Sequence, residues 1–130
     1  MTLEESVKLL ALIKLAYPNS YKDIDKDTQL ATVKMWQRAF DIVPFTIVEL
    51  ALDHFVKVSK FPPTIADICE ELKSVYYEAL QNVLSGGEQR ELNLYIMQQT
   101  ESFTDRNDHR INYSKTQNLI NGANQPLIEG

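Results

Sequence analysis

Two adjacent prolines, in the stretch Phe61-Pro62-Pro63-Thr64, constrain this chain more than any other feature. Proline has no backbone N–H to offer a helix, and it keeps the residue before it out of the helical region. The pair therefore divides the apolar, helix-like run before it from the run after it. Thr64 is placed to cap the second run. Phe61 is the side chain expected to fold back into the core and hold the corner.

Before the corner the chain reads as three helices. Thr2 and Glu5 have the spacing of a capping box that opens a first helix, about Leu3 to Ala16. Leu3, Val7, Leu10, Ala11, Ile13 and Leu15 spread round its circumference, which predicts a central helix with neighbours on more than one side. Tyr17-Pro18-Asn19-Ser20 ends it. The acids of Asp23-Ile24-Asp25-Lys26-Asp27 alternate as in a calcium loop. Thr28, however, stands where the sharp-turn glycine belongs, and Lys34 where the bidentate glutamate belongs. These acids instead suit a helix start, where they meet free N–H groups and the macrodipole.

A second helix is expected from about Asp27 to Phe40, turning Leu30, Val33, Trp36 and Phe40 to the core. The third opens at Pro44 or at a rival capping box, Thr46 with Glu49, and continues to Lys60. It carries two stripes: Ile47, Leu50, Ala51, His54, Phe55 and Val58, and then Val48, Leu52 and Val56. The second stripe serves either the protein's own core or a binding surface. After the corner, Ile65, Ile68, Leu72, Val75, Tyr76 and Ala79 form one apolar stripe, with Asp67, Glu70, Glu71, Ser74 and Glu78 on the other face. Gly86-Gly87 breaks this fourth helix. The expected core and hinge are Leu10, Trp36, Phe40, Phe55, Phe61, Pro62, Pro63, Ile68 and Leu72.

Beyond Gly87 asparagine and glutamine become frequent and large apolar residues thin out. One weakly periodic island remains, Leu92, Leu94, Tyr95, Ile96 and Met97, followed by scattered Phe103, Ile111, Tyr113, Leu119 and Ile120. So little apolar area does not offset the entropy of ordering the backbone. The reading is an all-α chain: a bundle of about four helices over residues 1–85, then a largely disordered tail over 86–130. Such a tail is either expendable or folded by a partner. A helical island docking in a groove is the concrete form of the second case.

The chemistry of a catalyst is missing. No glycine-rich loop followed by lysine and serine or threonine is present, so nucleotide hydrolysis is not expected of this chain. His54, His109 and Cys69 do not have the spacing of a metal site. His54 reads as a partly buried helix residue and Cys69 as an inert core thiol. Neither a cofactor nor a metal is expected, and no nucleophile with a base can be identified. A net charge of -5 argues against a grip on phosphate backbone, so direct DNA binding is not expected. A single cysteine suits a reducing compartment. The acidic start does not suit a signal peptide, and the apolar stretch from Leu9 to Tyr17 is too short to span a bilayer. A cytoplasmic protein away from membranes is expected.

The order of these features resembles a known family. An apolar first helix ends in Ala16-Tyr17-Pro18-Asn19, and Tyr21 with acids follows. The second helix carries Trp36 and Phe40, and a long third helix leads to Phe61-Pro62-Pro63-Thr64 with Ile65 and Ile68. Over about residues 3–80 this is similar to the replicative helicase loader and inhibitor proteins of phages infecting Gram-positive bacteria. The resemblance implies a non-enzymatic protein of phage DNA replication. Its partners would be the hexameric replicative helicase in its nucleotide-bound form, whose ATPase and unwinding it suppresses, and the phage origin-binding protein, to which it helps deliver the helicase. It also implies that the C-terminal region engages the helicase. Within that region apolarity selects Leu92, Leu94, Tyr95, Ile96, Met97, Phe103, Ile111 and Tyr113 as the contact residues. Two other readings remain: a small helical DNA-binding or regulatory protein, and a virion assembly adaptor. The first is weakened because the third helix offers mainly Glu49, Asp53 and Lys57 for base contacts.

Overall fold

The computed structural model describes residues 1–104. All the regular structure there is helical: α1 (Leu3–Ala16), α2 (Lys26–Ala39), α3 (Phe45–Val56), α4 (Ile65–Leu84), α5 (Arg90–Thr100) and a 3-10 turn, Glu101–Phe103. The all-α expectation holds, with five α-helices where about four were read. The chain divides into two compact units, Met1–Leu72 and the residues from Lys73 onward.

In the first unit α1 packs against α2 and α3. Its capping box forms: the Glu5 N–H donates to Thr2 Oγ1 at 3.1 Å, and the Thr2 N–H to Glu5 Oε1 at 2.8 Å. The Thr2 N–H bond first, with help from the Thr2 side chain, holds the Glu5 carboxyl below its usual range. Asp25 caps α2 by accepting the Thr28 N–H, which likewise lowers its pKa. The acids of this loop therefore serve a helix start, as expected. Pro44 precedes α3 without a side-chain cap, and Thr46 falls inside the first turn, so the rival capping box is not used. At α4, Thr64 and Asp67 exchange two hydrogen bonds, backbone N–H to side-chain oxygen in each direction.

The core of this unit contains Leu9, Leu10, Ile13, Val33, Trp36, Phe40, Val43, Ile47, Val48, Ala51, Leu52, Ile68 and Leu72, all buried. The rings of Trp36 and Phe40 lie 5.9 Å apart in a tilted arrangement. Both stripes of α3 contribute, since Val48 and Leu52 are as buried as Ile47 and Ala51. One buried polar tie joins α1 to α2, Ser6 Oγ donating to the Val33 carbonyl at 2.8 Å.

Several expectations are corrected here. Phe61 is 76% exposed and belongs to no core. Helix α3 stops at Val56, short of Lys60, and is followed by a turn in which the Val58 and Ser59 N–H groups share the Phe55 carbonyl. The Ser59 hydroxyl then bonds both the N–H and the carbonyl of Phe61, closing a tight surface loop, and Pro63 is the buried residue of the corner. Phe55 is half-buried and Pro62 exposed. Leu30 is half exposed, one face removed from Val33 and Trp36. Finally, α1 is not surrounded: Leu3, Val7 and Leu15 are exposed.

The N-terminus holds the α2–α3 connection in a way the sequence did not announce. The Met1 ammonium donates to the carbonyls of Phe40 at 3.3 Å, Asp41 at 2.8 Å and Val43 at 2.8 Å. An extension left attached ahead of Met1 turns this three-donor group into an amide with one N–H. The expected loss is about 2 kcal/mol, from hydrogen bonds made by a charged donor. Thermal unfolding before and after removal of a cleavable tag should then differ by about 8–16 °C. Equal melting temperatures would show that the carbonyls find other donors.

In the second unit α4 ends in a Schellman motif. Gly86 takes φ +74°, its N–H donates to the Val83 carbonyl, and the Gly87 N–H donates to the Asn82 carbonyl. The left-handed conformation is what requires glycine at position 86. Helix α5 then buries Leu94 and Met97 in a cluster with Tyr76, Ala79, Leu80 and Val83 of α4, with Tyr77 and Ile96 packed at its edge.

Candidate functional site

Among the described residues, no group of three or more His, Cys, Asp or Glu could hold a metal ion. Cys69 is half-buried, and burial first, then the Glu70 carboxylate, push its thiol pKa upward. That leaves little thiolate at neutral pH and fits an inert thiol. His54 sits half-buried on α3. His109 lies outside the described residues.

The residues selected for partner contact do not form one surface. Most of them lie on α5, where periodicity sorts them. Leu94 and Met97, three apart, face α4 and are buried. Leu92 and Tyr95, also three apart, are on the exposed side at 50% and 42%. Ile96 lies between, half-buried, and Phe103 is half-buried in the 3-10 turn. Ile111 and Tyr113 lie outside the described residues. Selection by apolarity could not separate these classes. The interleaved spacing of 92 with 95 and 94 with 97 was the available signal, once the island is taken as a helix with a partner.

Two surface features escaped the sequence reading. One is a groove of about 490 Å³ beside α1, bordered by Val7, Leu10, Lys14, Tyr21, Ile24 and Val33. Its wall includes Tyr21 and Asp23, both in the left-handed region at φ 56° and 63°. Burial pushes the Tyr21 phenol upward, opposed in part by a hydrogen bond with the Trp36 side chain. The other is the exposure of the proline corner, whose Phe61 is expected from the sequence to lie in the core. Val58, Phe61 and Pro62 stand exposed there between and beside Lys57 and Lys60, which are exposed too. The corner is tied down from the end of α1, the Tyr17 hydroxyl donating to the Ser59 carbonyl at 2.9 Å.

Comparison with known proteins gives a family match. Residues 1–69, more than half of the chain, match the family model for the N-terminal domain of a phage helicase-loader/inhibitor protein. Neither a curated protein nor a solved structure matches. The matched segment covers α1, α2, α3 and the start of α4, and it stops short of α5.

Proposed function

The chain belongs to the phage helicase loader/inhibitor family, and from that membership we propose how its parts divide the work. The function is that of a phage helicase loader and inhibitor, exerted by binding a replicative helicase and not by catalysis. The family match over residues 1–69 is the observation that carries this reading.

In the division proposed, residues 1–85 are a folded head, and residues 86–130 engage the hexameric helicase in its nucleotide-bound form. The contacts are Leu92 and Tyr95 on the open side of α5, together with Ile96, Phe103, Ile111 and Tyr113. Leu94 and Met97 support it from beneath. The head meets the phage origin-binding protein, so that the helicase is restrained until it reaches origin DNA, in the cytoplasm of the bacterial host. A chain without a phosphate-binding loop cannot drive release by its own hydrolysis. Release therefore follows from competition by another protein for the same contacts.

The test is the helicase of the same phage mixed with the full chain, with and without a non-hydrolysable ATP analogue. Co-elution is expected with the analogue. ATP hydrolysis by the helicase should fall several-fold as the chain reaches one per subunit. An ATPase rate unchanged at saturation would overturn the inhibitor half of the reading.

A further inference from the structure

We propose that the proline corner, Lys57, Val58, Lys60, Phe61 and Pro62, is a docking surface for a protein that offers an apolar pocket bordered by carboxylates. The proposal rests on the reading that the chain carries the helicase to a second protein. Carrying needs two surfaces that can be occupied together. Residues 86–130 supply one; the corner lies in the other compact unit, within Met1–Leu72.

Three observations select the corner and its partner. Its apolar groups are among the most open of the described residues: Val58 is 79% and Phe61 76% exposed, while Phe40 is fully buried and Phe45 and Phe55 are half-buried. An exposed aromatic costs solvation without adding to the core, and aromatic anchors are what protein interfaces enrich. The corner is also held in place before any partner arrives. The Ser59 hydroxyl bonds the Phe61 N–H at 3.2 Å and its carbonyl at 3.1 Å, and Tyr17 bonds the Ser59 carbonyl. Pro62 and Pro63 remove further backbone freedom, with Pro63 buried as the anchor. A surface fixed in advance loses little entropy on binding. Lastly, the charge is opposite to that of the chain as a whole. Lys57 and Lys60 flank the apolar residues in a protein of net charge -5, and no acid lies between Lys57 and Ala66. Carboxylates round a partner's pocket would complement those two cations, set the register and speed encounter.

The experiment uses the full chain and the purified origin-binding protein of the same phage, with the helicase as the control partner. Phe61→Ala is expected to weaken binding to the origin-binding protein at least about tenfold, as loss of an anchoring aromatic does. Helicase binding and melting temperature should stay unchanged, because the ring is outside the core. The double charge reversal Lys57→Glu with Lys60→Glu should slow association about tenfold at low salt, and the difference should shrink as salt rises. If the wild-type chain binds the origin-binding protein and Phe61→Ala binds it equally well, the docking surface is elsewhere. If the wild-type chain does not bind it, the two-partner reading fails. A lower melting temperature for Phe61→Ala would show that the ring supports the fold and would overturn the assignment as well.

Discussion

Phe40→Ala should lower the unfolding free energy of the first unit by about 3–5 kcal/mol, the range for truncating a fully buried phenylalanine. The ring is completely buried, packs 5.9 Å from Trp36, and closes α2 where the chain turns toward α3. The Phe40 carbonyl is also one of the three that hold the Met1 ammonium. A cavity there undermines the α2–α3 connection together with the N-terminal tie. Total stabilities of small domains are about 5–15 kcal/mol, so a loss of this size leaves the unit marginal. Urea unfolding at 25 °C, followed by helical circular dichroism, measures it directly. A change below about 1 kcal/mol would mean that the surroundings collapse into the space, as large-to-small substitutions sometimes allow.

Phe40 and Phe61 show what the sequence could and could not disclose. Both were read as core. Phe40 belongs to a regular stripe with Val33 and Trp36, and helical periodicity placed all three correctly. Phe61 had no stripe. Its assignment rested on hydrophobicity beside a proline pair, and a loop's side-chain direction depends on local hydrogen bonds, here those of Ser59, that no period encodes. Caps at Thr2 with Glu5 and at Thr64 were legible for the same reason as stripes, since they act over three residues. The Met1 ammonium acts across about forty residues and left no local mark. Helix α5 was seen only as a weak island, because its apolar face is two residues wide and has meaning only against Tyr76, Ala79, Leu80 and Val83.

That packing decides how the proposed helicase contact of residues 86–130 can be tested. A chain cut before residue 88 would also lose Leu94 and Met97, and would strip the cover from an apolar face of α4. Lost binding could then reflect damaged folding. Ending the chain after Thr104 keeps that packing and removes Ile111 and Tyr113. Replacing Leu92 and Tyr95 by serine in the same chain removes the exposed pair of α5 without touching the buried one. The combined variant should bind the helicase at least about 100-fold more weakly, as the loss of several anchoring side chains predicts. Helical circular dichroism per residue over 1–104 and the melting transition should match those of a chain ending at Thr104 without substitutions. Each half of the change, tested alone, should account for about tenfold, since the two groups of contacts lie on separate segments. Undiminished affinity in the combined variant would remove Leu92, Tyr95 and the residues after Thr104 from the helicase interface.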